Sequence, residues 1–147
     1  MESIRVFVVD DHPMIRQGLA AMMRTESDIN WVGDAASGAE AVLAAPSLAP
    51  DVVLMDLVMP QMDGVQTITV LRPLLPKTRF LVLTSSMDPA EARRAMAAGA
   101  VGFLLKNASS QELVTVIRTA MRGQHVLAPE ITDAMMATSR GKTTGSD

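Results

Sequence analysis

The chain has 147 residues, 48% apolar and 20% charged, which suits one globular domain and excludes a disordered or fibrous chain. Thirteen basic against 16 acidic residues leave a net charge of −3, which argues against a nucleic-acid surface on this segment. The lack of cysteine excludes a disulfide scaffold, a thiolate zinc centre and a cysteine nucleophile. No apolar run approaches the roughly 18–20 residues of a membrane span, and the N-terminus lacks a signal-peptide pattern. The expectation is a soluble, cytoplasmic domain without membrane contact.

The run Ile4–Val9 is apolar, nearly continuous and too short for a helix, as expected of a strand buried on both faces. Asp10 and Asp11 follow it directly. Pro13 then suits the first turn of a helix carrying Ile15, Leu19 and Met22 at spacings of four and three. The more polar residues 31–35 fit an edge strand, and residues 38–48 read as an alanine-rich helix with Ala39, Val42 and Leu43 on one side. A second continuous run, 52–55, ends at Asp56. Val65, Ile68 and Leu71 predict a third helix, closed by Pro73 and Pro76.

The run 80–83 ends at Thr84, and residues 89–98 predict a fourth helix with Gly99 just past its end. The run 101–105 ends at Lys106. Leu113, Val116, Ile117, Ala120 and Met121 form the strongest helical stripe, capped by Ser109-Ser110-Gln111-Glu112 and ended by Gly123. Residues 129–137 could form a short helix, and from residue 138 no periodicity remains. The expected organisation is a folded unit over 1–124 and a short helix with a flexible linker or tail over 125–147.

Strands alternating with helices across short connections imply right-handed crossovers and a three-layer α/β sandwich around a parallel sheet. Ligands of such sheets bind at the carboxyl ends of the strands, where strand order reverses. Asp10, Asp11, Asp56, Thr84 and Lys106 all fall at that edge. Carboxylates about 5 Å apart repel by roughly 3 kcal/mol per pair at an effective dielectric near 20. A fold that keeps them together needs a compensating cation, and oxygen donors without thiolate favour a hard one such as Mg²⁺.

Mg²⁺, a lysine, a hydroxyl and a carboxylate together suit a phosphoryl group in transfer. Asp56, alone at its strand end, is the expected nucleophile, able to become an acyl phosphate. Asp10 and Asp11 would hold the metal directly or through water, and Thr84 and Lys106 would meet the phosphoryl oxygens. Each residue also has a plainer reading. Asp10 and Asp11 could cap the first helix, Asp56 could be a loop aspartate, Thr84 a strand-end hydroxyl and Lys106 a solvated lysine. His12 reads as a loop residue rather than a base or ligand, and the twelve methionines as core filler. Four strands each ending in a residue that one chemistry needs favours the functional reading.

Val8-Val9-Asp10-Asp11-His12-Pro13, Asp51 through Pro60, Met62-Asp63-Gly64, Leu83-Thr84-Ser85 and Gly99 through Lys106 together resemble the receiver domain of two-component response regulators. Asp11-His12-Pro13 and Gly102-Phe103-Leu104-Leu105-Lys106 are most similar to receivers of LuxR-type (NarL/FixJ) transcription factors, and the resemblance covers residues 4–123. It implies a flavodoxin-like fold with strand order 2-1-3-4-5 and Asp56 as phosphoacceptor from a sensor histidine kinase. It further implies Mg²⁺, for which Mn²⁺ can substitute, on Asp11, Asp56 and the Val58 main-chain carbonyl, with Asp10 helping through water.

Thr84 and Phe103 occupy the family's switch positions, although Phe103 also reads as a permanent core residue. The implied function is a phosphorylation-activated switch, not an enzyme beyond self-phosphorylation from small donors and slow self-dephosphorylation. A homodimer strengthened by phosphorylation is expected through the fourth helix, fifth strand and fifth helix, or through the first and fifth helices near Met22, Met23 and Met121. DNA would be reached through a helix-turn-helix domain, for which the 24 residues after Gly123 are too few.

The alternatives are a stand-alone receiver, a degenerate receiver, a flavodoxin, or a Mg²⁺-dependent aspartate-nucleophile phosphohydrolase of the haloacid-dehalogenase type. The last needs a second acid two residues after its nucleophile, where this chain has Val58. A flavodoxin needs a hydroxyl- and glycine-rich loop where this chain has two carboxylates. Val58 and Ser86 occupy positions that could tune the phosphoryl lifetime. Many receivers place a proline after the lysine with a cis bond. Here Asn107 follows, and a cis bond would cost about 3–4 kcal/mol, so the geometry of that bond stays open.

Overall fold

Strands covered by helices on both faces need apolar side chains at successive positions, and the central strands of this chain have them. In a computed structural model, described over residues 3–85, 88–123 and 126–127, these strands alternate with helices as expected. The order is β1 (Ile4–Val9), α1 (Pro13–Met23), β2 (Ile29–Ala35), α2 (Gly38–Leu48), β3 (Val52–Met55) and α3 (Gly64–Leu74). It continues with β4 (Arg79–Thr84), α4 (Pro89–Ala98), β5 (Ala100–Leu105), α5 (Ser110–Met121) and β6 (Val126–Leu127).

The sheet runs β2-β1-β3-β4-β5-β6 with every neighbouring pair parallel. Its first five strands have the 2-1-3-4-5 order of a flavodoxin-like receiver. β6 is an addition that the sequence did not announce: two residues pair with Gly102 and Phe103 of β5, inside the stretch expected as helix and tail. The helix expected over 129–137 lies outside the described residues, as does Ser86. Order reverses at β1, which has β2 on one side and β3 on the other, and this places the crevice between the carboxyl ends of β1 and β3.

Val6 to Val9, all of β3, and Phe80 to Leu83 are buried, and α5 covers one face of the sheet with Leu113, Val114, Val116, Ile117 and Ala120. Two helices turn differently from the expected stripe. The buried residues of α1 are Ala20 and Met23, with Leu19 and Met22 on the flank. Met23, expected as a possible exposed dimer residue, is therefore core, and Met22 and Met121 pack partly against it.

α2 buries Gly38, Ala41 and Ala45, while Leu43 is 84% exposed. The cause is close packing on α3: a Cβ at Gly38 would lie 2.3 Å from Thr67 Oγ1. Small residues face in because only they fit. Pro73 does not end α3 but sits in its last turn, and the Leu75 N–H closes the helix on Leu71 and Arg72 carbonyls. Among the described residues no peptide bond is cis, so Lys106–Asn107 is trans. None of their helices is long and apolar enough to cross a membrane.

Candidate functional site

Val9 pairs with Met55 across the parallel β1–β3 ladder, so the next residues, Asp10 and Asp56, leave the sheet side by side. Their main chains stay tied to it: the Asp10 N–H donates to Ala35 O at 3.1 Å and the Asp56 N–H to Val9 O at 2.9 Å. Both side chains are buried, Asp56 to 3% exposure. At the neighbouring strand ends the Lys106 N–H donates to Thr84 O at 2.7 Å, which brings the lysine and the buried Thr84 to the same edge. Asp10, Asp11, Asp56 and Lys106 converge, and Thr84 stands at the same edge of the sheet.

The Lys106 ammonium lies 3.0 Å from Asp10 Oδ2 and 3.3 Å from Asp56 Oδ2. Asp56 Oδ1 accepts from the Val58 N–H at 3.3 Å. Asp56 Oδ2 has the lysine within ion-pair range but no hydrogen bond, and the same holds for Asp11 Oδ1 beside His12 Nδ1 at 3.1 Å. Buried polar atoms without a hydrogen bond are uncommon, and of the three among the described residues two lie on these neighbouring carboxylates, the third being Arg93 Nη2 on α4. Burial, and then the charge of Asp10, push the Asp56 carboxyl above the usual range against the pull of Lys106. Burial lowers the Lys106 ammonium, but its hydrogen bond to Asp10 and the charges of Asp56 and Asp10 outweigh it and raise the group.

The loop after β3 is built to hold this arrangement. Leu57 and Met59 are buried and anchor it, which leaves Val58 at 69% exposure on the rim. Asp63 and Gln66 form a capping box at the start of α3, and the Gly64 N–H donates to Leu57 O at 3.0 Å. A Cβ at Gly64 would sit 2.4 Å from the Asp56 carbonyl oxygen, so only glycine lets α3 begin this close to the acidic residue. Gly64 entered the sequence reading as a motif letter; its steric role needs the fold.

His12 departs most from expectation. Its Nδ1 lies 2.8 Å from Asp10 Oδ1, 3.1 Å from Asp11 Oδ1 and 3.5 Å from Lys106 Nζ, with the ring 60% exposed. The available signal was its position directly after two aspartates. Phe103 is fully buried in β5, opposite Val82. Asp10, Asp11, His12 and Asp56 each offer a ligand atom, all within 4.8 Å of one another. Clustered carboxylates, two of their oxygens without hydrogen bonds, fit a hard divalent cation such as Mg²⁺. Two residues past Asp56 the chain has the exposed Val58 rather than an acid, so a phosphohydrolase's second carboxylate does not stand at that spacing.

The sequence profile of the response regulator receiver domain matches residues 6–118. The response regulator protein VraR of Staphylococcus aureus is 42% identical over 129 residues, covering 88% of this chain and 62% of that protein. The chain thus spans less than two thirds of the curated relatives it matches. The receiver domain of the response regulator NarL from Mycobacterium tuberculosis superposes with a TM-score of 0.80 at 36% identity, covering 84% of this chain and all of that one. A LuxR-family two-component response regulator from Aurantimonas gives a TM-score of 0.88 at 29% identity over 94% of this chain and 99% of its own. The chain belongs to the response regulator receiver domain family of two-component systems, and within it is close to the receivers of LuxR-type regulators.

Proposed function

We propose that this switch works through Asp56, which accepts a phosphoryl group from a sensor histidine kinase. An Asp56 carboxylate oxygen bonds to phosphorus as the phosphorus–nitrogen bond of a phosphohistidine breaks, and the departing imidazole keeps the electron pair and takes a proton. Asp11, Asp56 and the Val58 carbonyl would hold Mg²⁺ or Mn²⁺, with Asp10 acting through water. Once bound, the cation supplies positive charge against the phosphoryl oxygens. Lys106 pairs with a phosphoryl oxygen and Thr84 donates its hydroxyl to one. The observation that carries this reading is a lysine between two buried aspartates, one with a carboxylate oxygen that no hydrogen bond satisfies.

Turnover is confined to self-phosphorylation and slow loss of the group, in keeping with the lack of an acid at Val58. Thr84 and Phe103, both buried in this structure, are the proposed switch residues. We place the receiver over residues 1–124, in a cytoplasmic regulator that reaches DNA through a helix-turn-helix domain and dimerises on phosphorylation. The test is intact mass after incubation with acetyl phosphate, with and without Mg²⁺, on the wild type and Asp56→Asn. One phosphoryl unit, about 80 Da, should appear only with Mg²⁺ and only on the wild type. An adduct of the same size on Asp56→Asn would reassign the acceptor.

A further inference from the structure

At the end of the sheet opposite Asp56, three cations stand without a counter-charge. Arg72, Lys77 and Arg79 form no ion pair with any described residue, although acids outnumber bases 16 to 13 in the chain. All three line one cavity of about 460 Å³ at the amino ends of β4 and β5, and among the described residues no carboxylate shares its wall. We infer that this cavity binds a small oxyanion with two or more negative charges, either a phosphoryl compound or a polycarboxylate.

The fold holds two of the cations in place. Gly99, at φ +127°, lets the Arg72 side chain lie across it, since a Cβ there would sit 2.6 Å from Arg72 Cδ. Arg72 Nη1 then lies 3.4 Å from Ala98 O, and Arg79 Nη1 donates to Lys77 O at 3.3 Å, folded back over the turn between α3 and β4. Each guanidinium has five N–H donors, so a single carbonyl contact leaves most of the fork for a ligand. β5 also carries a bulge at this wall. Phe80 pairs with Ala100 but Leu81 with Gly102, which leaves Val101 unpaired and lining the cavity. Such bulges are uncommon in parallel pairs.

Like charges around one opening repel, and a multiply charged anion between them removes that cost. Guanidinium forks match phosphate and carboxylate oxygens two at a time, while the lysine adds a point charge. The cavity volume falls in the range of roughly 300–1,000 Å³ common for small-ligand sites. A monoanion answers only one of the three cations, so charge number should select the ligand. Gly123, just past the end of α5, lines the same cavity, which places the ligand where the chain leaves that helix.

The test is calorimetric titration of the whole chain, free of divalent ions, with sodium pyrophosphate, citrate and acetate at matched ionic strength. At least one of the two polyanions should saturate the wild type, and the tighter of them tells a phosphoryl ligand from a carboxylate one. Acetate should bind at least about tenfold more weakly. Arg72 and Lys77 are exposed, so Arg72→Gln and Lys77→Gln should fold normally. Each should weaken the polyanion by about tenfold, the worth of one hydrogen bond to a charged group. Arg94→Gln removes the same charge from α4, where Arg94 faces Glu91 at 3.0 Å, and should change binding by less than about twofold. No saturation by either polyanion overturns the inference. So does binding that ignores Arg72→Gln and Lys77→Gln, or that falls equally with Arg94→Gln.

Discussion

The two ends of the same sheet treat their carboxylates in opposite ways. At the amino edge each acid is matched. Asp51 accepts from the Arg5 N–H at 2.9 Å, and Asp28 receives two hydrogen bonds from Arg118, both at 2.8 Å, while Glu26 takes a third at 2.9 Å. The Arg118 guanidinium holds the Asp28 carboxyl below its ordinary range, and the guanidinium is itself raised. At the carboxyl edge two aspartates share one lysine, two oxygens lack a hydrogen bond, and the Asp56 carboxyl is raised. Carboxylates that join elements are satisfied within the protein, and those at the carboxyl ends of β1 and β3 are left partly unsatisfied.

The sharpest way to break this contrast is to remove the shared cation. Lys106→Met leaves two buried acids unpaired and should destabilise the protein by roughly 3 kcal/mol in urea unfolding without divalent ions. The loss should shrink when Mg²⁺ is added. Gly64→Ala tests the backbone beneath the site. A methyl group driven against the Asp56 carbonyl should cost about 2 kcal/mol and should reduce the phosphoryl adduct more than it perturbs the far edge.

Asp56→Asn removes a charge that burial and Asp10 disfavour, so it should stabilise the divalent-free protein by about 1 kcal/mol. The smallest effect lies at the satisfied edge. Because the folded-state pKa of Asp28 is lowered, its stabilisation is full above its ordinary value near 3.8 and fades as pH falls through the lowered one. The stability difference between wild type and Asp28→Asn should thus be constant from neutral pH to about 5 and shrink on further acidification.

Much of this was legible without coordinates. Each central strand is a continuous apolar run that stops at a polar residue, so the strand ends and their chemistry stood out together. Asp10, Asp11, Asp56, Thr84 and Lys106 were picked out this way, and the fold puts them at one edge of the sheet. The helix faces were harder: in α2 the packed face is Gly38, Ala41 and Ala45, where low side-chain volume rather than hydrophobicity decides. Leu43 misled because its apolar character has no counterpart in what it touches. His12 and Gly64 were hidden for a different reason. One is placed by the position of its ring and the other by a contact between α3 and the β3 loop, and neither leaves a period in the sequence.

On the function proposed above, the carboxyl edge is held short of positive charge for a divalent cation. The most direct test is the thermal midpoint of the wild type and Asp11→Asn, titrated with MgCl₂ against NaCl of matched ionic strength. A ligand at a hundred times its dissociation constant stabilises by about 2.7 kcal/mol, roughly 5–10 °C for a domain of this size. The wild type should show such a saturating rise with Mg²⁺ alone, and Asp11→Asn should lose most of it. Equal, small shifts in both salts and both proteins would contradict the claim and make the unsatisfied oxygens a cost of the fold without a ligand.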